Sequence, residues 1–569
     1  MINPFLSIFV TSLLIASMFT APASNAWSVT QESVSVFSGT LDEAALSIAV
    51  DASGNIYTTG IFGGTVDFDP GAGTANLTAV GNIDVFISKL NSSGNLVWAK
   101  SFGGSSYDYG NAIAVDASAN IYTTGSFAST VDFDPGAGTA NLTAVGSGDV
   151  FISKLNSSGN FVWAKSFGGN SSEHGLSIAL DSTGNVFTAG EFSGTADFDP
   201  GEGTSNLVSN RNSDVFISKL NSSGTYVWAK SFGGNERDVG VSIGVDGFGN
   251  VYTTGQFEGE VDFDPGEEIA NITSMGRADV FVSKLDSFGA YIWAKSLGGT
   301  GGDYAVAITV DHSGNIYTTG NFYDTADFDP GEGTANLSAT DSDVFISKLD
   351  SSGAYMWAKN FGDYPNAIKV DSSGNVYSTG YFYDTQDFDS GEGTANLTAV
   401  GSNDVFISKL NSSGNLVWAK SIGGTDSDSG LSIAVDSSGN IYTTGVFNGT
   451  ADFDPGAGTL NITSLGGEDV FVLKLNSLGL AVVPPKSDDS AEKARRAEAE
   501  AEAQRQRELT EILGIIPSIA GLALNIGALT NELLGVPKSS STKQKCVKGT
   551  KTTYVKKGAK CPAGYKKKK

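Results

Sequence analysis

Two aspartates held two residues apart recur through this chain, first as Asp67-Phe68-Asp69-Pro70-Gly71. In extended backbone, residues i and i+2 share a face. Seven pairs would each bring two carboxylates together: Asp67 with Asp69, Asp132 with Asp134, Asp197 with Asp199, Asp262 with Asp264, Asp327 with Asp329, Asp387 with Asp389, and Asp452 with Asp454. The intervening Phe would turn inward as an anchor. Close carboxylates repel unless something positive lies between them. Ca2+ suits such a site, because it takes oxygens from carboxylates, carbonyls and water. It is the expected cofactor, with these aspartates as metal ligands. The competing expectation is that the same carboxylates cap backbone turns, since two Asp are few ligands and no complete EF-hand loop is present.

Catalysis is a poorer match. A paired-carboxylate hydrolase needs one site with two differently tuned acids, whereas this pair is repeated along the chain. The departures from the repeat are His174, Arg211, Arg237, Arg277, His312 and Lys369, scattered among copies. His174 is expected in a loop between units and His312 in a hairpin turn, both solvated. No Ser/His/Asp or Cys/His constellation can be assembled. Gly299-Thr300-Gly301-Gly302 opens no helix, which argues against phosphate binding. Non-enzymatic binding or scaffolding is the expected function. An extracellular polysaccharide-acting enzyme working at a central channel is the alternative.

The elements that position these residues come from an internal repeat. The string Asp-x-x-Gly-Asn-(Ile/Val)-Tyr-Thr-Thr-Gly recurs, with small changes, from Asp51, Asp116, Asp181, Asp246, Asp311, Asp371 and Asp436, with one short step before Asp371. In the first copy, strand-like runs cover 46–50, 56–62, 84–90 and 96–102. The first two are joined by Asp51-Ala-Ser-Gly-Asn55 and the last two by Asn91-Ser-Ser-Gly-Asn95. Both connections are hairpin loops with Gly where positive φ is needed. Each copy thus predicts a four-stranded antiparallel sheet. Val85 and Ile87 face one way, Phe86 and Leu90 the other, so the unit must be covered on both faces.

Radial stacking of such sheets is a β-propeller. The expected fold is all-β, a seven-bladed propeller of four-stranded blades. The seventh copy lacks a proper fourth strand, having Leu480-Ala-Val-Val-Pro484 there. The run Ser33-Val-Ser-Val-Phe37 ahead of the first copy is expected to supply it and close the ring. Trp98, Trp163, Trp228, Trp293, Trp357 and Trp418 mark the fourth strands and are expected to pack between blades.

The motifs Asp-x-x-Gly-Asn-(Ile/Val)-Tyr-x-Thr-Gly, Asp-Val-Phe-(Ile/Val)-Ser-Lys-Leu-Asn and Ser-Phe-Gly-Gly resemble the bacterial β-propeller repeat family SBBP, over roughly residues 28–484. The resemblance implies an exported or surface-linked propeller and supplies no catalytic residues. The Asp-Phe-Asp-Pro-Gly insertion departs from the family pattern.

The ends read differently. Residues 1–26 have an apolar stretch followed by small residues, as in a secretory signal. The domains expected are therefore the signal at 1–26, the propeller at 27–485, a helical stalk with an apolar segment at 486–537, and a Lys-rich tail at 538–569. Residues 512–531 are uncharged and long enough to span a membrane, with a packed helical hairpin as the other reading. Cys546 and Cys561 are disulfide candidates outside the cytoplasm. A membrane span with the Lys tail inside would keep them reduced. The net charge of −27 divides into −36 for residues 1–485 and +9 for residues 486–569. This acidity excludes a general nucleic-acid binder. A macromolecule or glycan is the expected partner of the ring, and the cell envelope or a membrane surface that of the basic tail. The protein is expected to be secreted or held at the cell surface.

Overall fold

The computed structural model describes residues 33–362, 364–481, 543–548, 551–556 and 566–567. The chain divides into two compact units, residues 1–484 and 485–569. Every regular element among the described residues is a strand. The expected signal at 1–26, the helical stalk with its apolar segment, and Cys561 lie outside the described residues. No described helix is long and apolar enough to cross a membrane.

In the larger unit each repeat folds as two hairpins sharing one sheet. The first repeat pairs Glu43–Val50, Ile56–Phe62, Asp84–Leu90 and Leu96–Phe102, each antiparallel to the next. Three of these strands have the bounds read from the sequence. The first begins three residues earlier than its alternation predicts, because a register shift between Ala45 and Ser47 breaks the two-residue period.

The hairpin turns form for local reasons. Asp51 Oδ1 accepts the N–H groups of Ser53 and Asn55 at 2.8 and 3.0 Å, and its Oδ2 accepts from Asn55 Nδ2 and Tyr57 Oη at 2.7 and 2.9 Å. Gly54 closes the turn at φ 76°.

Each sheet is apolar on both faces, as its sequence demands. Val85 and Ile87 lie in one buried cluster with Phe127 and Phe151 of the second repeat. Phe86 and Leu90 lie in another with Phe37, Val470 and Val472. The run 33–37 supplies the missing outer strand: Val34–Gly39 pairs antiparallel with Asp469–Leu475, Val34 opposite Leu473 and Phe37 opposite Val470. The first and seventh repeats also meet along their first strands, where Ile48 N–H donates to Ser432 Oγ at 3.3 Å. The same contact joins Ile113 to Ser47 at 3.2 Å.

The smaller unit contributes Lys543–Lys548 paired with Lys551–Lys556 and with Lys566–Lys567. Cys546 lies in its central strand, opposite Thr553.

Candidate functional site

The Asp-Phe-Asp-Pro-Gly insertion forms a short hairpin, Thr65–Asp67 against Asn76–Thr78. Phe68 is fully buried, as expected of an anchor. Its ring lies 5.2 Å from Phe37, 5.6 Å from Phe62 and 4.9 Å from Phe86, so it wedges the outer strand of the seventh repeat against the first. The hairpin also extends that outer strand: Ser38 pairs with Asp67 and Gly39 with Val66. Gly168 with Asp197, Gly298 with Asp327 and Gly423 with Asp452 repeat the pairing. The insertion is thus a clamp between consecutive repeats.

Its carboxylates cap the clamp. Asp67 Oδ1 accepts from Asp69 N at 3.0 Å and Ala75 N at 2.8 Å, and Asp69 Oδ1 from Gly71 N at 2.8 Å. The first aspartate of every other pair does the same. Asp132, Asp197, Asp262, Asp327, Asp387 and Asp452 each accept the N–H two residues on and the N–H eight residues on. The second aspartate of each pair caps the Gly that follows it. Asp134 accepts from Gly136 N at 2.8 Å, Asp199 from Gly201 N at 2.8 Å, and Asp264 from Gly266 N at 2.7 Å. Asp329 accepts from Gly331 N at 2.9 Å, Asp389 from Gly391 N at 2.9 Å, and Asp454 from Gly456 N at 2.8 Å.

These bonds engage part of each carboxylate. One oxygen of Asp69, Asp134, Asp199, Asp264, Asp329, Asp389 and Asp454 is already spent on a backbone donor, as is one oxygen of each first aspartate. The bonds observed are those of the competing expectation, turn capping. The physical reason is local: the Pro-Gly turn aims its free N–H groups at the nearest carboxylate, as Asx turns do. Among the described residues no group of three or more Asp, Glu, His or Cys side chains converges as a metal site would need.

A different set of acids is buried between repeats. Asp84, Asp149, Asp214, Asp279, Asp404 and Asp469 each stand directly before a buried Val-Phe run, and Asp108, Glu173, Asp238, Asp303, Asp428 and Glu43 enter from the adjacent repeat; all are at most 3% exposed. Asp149 Oδ1 and Glu173 Oε2 lie 2.6 and 2.7 Å from the point where a Cβ on Gly168 would sit, so the two acids converge on a position only Gly can fill. Burial pushes the Asp238 and Asp428 carboxyls up to about 7, opposed by bonds from backbone N–H groups and reinforced by Asp214 and Asp404. Burial, then Asp469 and Asp42, push Glu43 up to about 9. Sequence reading missed these acids. Their signal was an acid at one fixed place, directly before each buried Val-Phe run.

The opposite end of each sheet binds repeat to repeat. Lys89 Nζ lies over the Tyr57 ring, 5.1 Å from its centroid, and donates to the Ser157 carbonyl of the next repeat at 3.2 Å. Trp98 Nε1 reaches the same carbonyl at 3.4 Å, and its ring lies 3.0 Å from the Cβ position of Gly159. The tryptophans pack between repeats, as expected.

The repeats differ most where their first strands begin. The pair Tyr109 and Ser126 becomes His174 and Glu191, Val239 and Gln256, Tyr304 and Asn321, Tyr364 and Tyr381, then Ser429 and Val446 in successive copies. His174 is not a solvated loop residue: it starts the strand His174–Leu180, and burial holds its imidazole below the ordinary range. Its partner Glu191 makes an ion pair with Arg237 at 2.6 Å and accepts Ser213 Oγ at 2.8 Å. In the sixth repeat Tyr364 stacks on Tyr381 at 5.0 Å, and Tyr383 stands edge-on to both. His312 is exposed in a turn, as expected.

The family described as beta-propeller repeat, SBBP, matches residues 97–126, 227–256, 292–321 and 417–454. The chain therefore carries SBBP β-propeller repeats. It is 24% identical over 459 residues to an uncharacterized WD repeat-containing protein of Acanthamoeba polyphaga mimivirus, covering 65% of this chain and 33% of that protein. It is 24% identical over 498 residues to the regulatory protein FlaEY of Caulobacter vibrioides, covering 81% and 50%. The chain thus spans half or less of each of these relatives. Among solved structures, a Bacteroides caccae protein of unknown function aligns at 9% identity and TM-score 0.22, over 48% of this chain and 89% of that one. The extracellular domain of a putative hybrid two component system from B. thetaiotaomicron aligns at 12% identity and TM-score 0.15, over 78% and 77%.

Proposed function

We propose that the chain closes into a seven-bladed ring and works as a non-enzymatic binding module, with its ligand surface at the end where the first strands begin. One observation carries this reading. The turn end keeps Asp-x-x-x-Asn in every copy, from Asp51 and Asn55 to Asp436 and Asn440, while the other end varies from Tyr109 to His174 to Tyr364. A scaffold needs the repeated contacts at every seam. A ligand that meets several blades at once needs the differences. The tyrosines Tyr364, Tyr381 and Tyr383 offer flat apolar faces with polar tips, a surface suited to sugar rings. A glycan is the favoured ligand class.

Residues 1–26 support export, and the Lys-rich tail supports retention at an anionic envelope surface. Calcium at the Asp-Phe-Asp-Pro-Gly loops is not required by this reading, because their carboxylates already cap the clamp.

The test is binding of the purified chain to a panel of soluble wall and capsular polysaccharides. Tyr383→Ala should abolish the binding found, and Ser118→Ala at the turn end should leave it intact. Equal loss in both variants, or no binding to any polysaccharide, would remove the glycan reading. The enzymatic alternative has one observation in its favour, the His174, Glu191 and Arg237 group, which occurs at one place among the repeats. Both Glu191 oxygens are engaged, which leaves no free base there. Release of reducing ends from a bound polysaccharide, lost in His174→Ala, would restore that alternative.

A further inference from the structure

We propose that the seam between the seventh and first repeats binds one hard divalent cation, typified by Ca2+, between Glu43 and Asp469. The other seams show what the position normally does. Asp108 Oδ2 accepts from Gly104 N at 2.7 Å and its Oδ1 from Ala128 N at 3.2 Å. Asp238 and Asp428 each hold two N–H groups in the same way. Those carboxylates are satisfied by backbone and need no ion.

Glu43 breaks this arrangement. It is one methylene longer, and the Gly39 N–H, which stands where Gly104 N stands in the next repeat, bonds Asp469 instead. Neither Glu43 oxygen has a partner, although the side chain is 1% exposed. Asp469 Oδ2 accepts from Leu465 N at 2.9 Å, and the Ser38 side chain and Gly39 N–H also bond this 0% exposed carboxylate. The chain segments are tied together here, since Glu43 N–H donates to the Glu468 carbonyl at 3.1 Å. Buried carboxylate oxygens left unpaired are among the most costly groups a fold can carry. A cation removes that cost.

Glu173 is the internal control. It is also a glutamate at this position, but its Oε2 accepts from Gly169 N at 3.0 Å and only Oε1 is orphaned. The seam therefore offers both Glu43 oxygens unpaired where Glu173 offers one. Asp42 and Glu468, flanking the pair, add negative field; Glu468 N–H donates to Asp42 Oδ1 at 3.3 Å. The donors are all oxygen, which selects Ca2+, Mg2+ or Mn2+ over softer metals. Among the described residues no third acidic side chain joins the group, so carbonyls and water complete the shell.

The test uses the purified chain at pH 8, with CaCl2 against EDTA, read by native mass spectrometry and thermal melting. One Ca2+ per chain and a higher melting temperature are expected. Glu43→Asp restores the residue found at most other seams; it should fold and weaken Ca2+ binding at least about tenfold. Asp469→Asn should weaken it likewise, while Glu173→Asp should not. No bound ion, seven ions per chain, or unchanged binding in both Glu43→Asp and Asp469→Asn would overturn the proposal.

Discussion

Lys474 Nζ donates to the Ser92 carbonyl at 3.0 Å, joining the last repeat to the first across 382 residues of sequence. It is the same contact that Lys89 makes to Ser157 and Lys409 to Ser477 between neighbours in the chain, at 3.2 and 3.4 Å. Lys474 also lies over the Tyr442 ring, whose hydroxyl donates to Asp436 Oδ2 at 3.0 Å. The seam between the last and first repeats is therefore built from the parts used between ordinary neighbours. The extra part is the outer strand Val34–Gly39, which reaches its sheet from the far end of the sequence.

That strand should be the weakest point of the seam. Phe37 is fully buried, 5.2 Å from Phe68 and 6.3 Å from Phe86. Phe37→Ala is expected to lower stability by about 3–5 kcal/mol, as for other buried Phe truncations. Urea denaturation measures it, and limited proteolysis should show earlier cleavage ahead of residue 43 than in the parent chain.

One turn is visibly imperfect. Six of the Asp-x-x-Gly-Asn turns carry Gly at positive φ, from Gly54 at 76° to Gly439 at 79°, while the second repeat has Ala119 at φ 60°. An L-residue there is strained, and Gly is not. Ala119→Gly should stabilise the chain by about 1 kcal/mol, and Gly54→Ala should destabilise it by about the same or more. Matched urea titrations check both signs.

The repeat, the hairpins, the strand faces and the inter-repeat Trp were legible because each rests on local pattern copied along the chain. The start of the first strand was not. The bulges between Ala45 and Ser47 and between Gly175 and Ser177 break the alternation, so the residues before them read as loop. Those residues include Glu43, Tyr109, His174 and Tyr364, at the positions where the repeats differ most. The buried acids were missed for a related reason. Hydrophobicity patterns place charge outside, and nothing local says that Asp84 or Asp404 is covered by the neighbouring repeat. The two aspartates of each insertion were legible as a pair, but their backbone partners depend on how the hairpin closes.

Stability should fall as pH rises towards neutrality. The Asp404 and Asp428 carboxyls are pushed up to about 6 and about 7 by burial, against about 3.9 when unfolded. Between those limits the folded state holds protons that the unfolded state has released. Their contribution is thus fully present below pH about 4 and lost as pH rises through about 7. The urea midpoint is expected to be higher at pH 5 than at pH 8 in EDTA. Asp404→Asn keeps an acceptor for Val400 N–H, now bonded at 3.1 Å, and removes the charge that raises Asp428. It should raise the pH 8 midpoint and flatten the slope.

The insertion provides the sharpest separation of roles within a single loop. Asp67 Oδ1 holds two backbone N–H groups and pins the hairpin that extends the neighbouring outer strand, whereas Asp69 Oδ1 holds one, at the turn. Phe68 carries the apolar contact between repeats. Phe68→Ala should therefore cost about 3–5 kcal/mol. Asp67→Ala should cost about 1–2 kcal/mol, from unpaired N–H groups in a half-buried hairpin, and Asp69→Ala less than that. If calcium bridged the two carboxylates, Asp67→Ala and Asp69→Ala would instead have similar effects, and both effects would vanish in EDTA. Melting the three variants with and without EDTA separates a clamp from a metal loop, because only the clamp ranks Phe68 above Asp67 and Asp67 above Asp69 in both buffers.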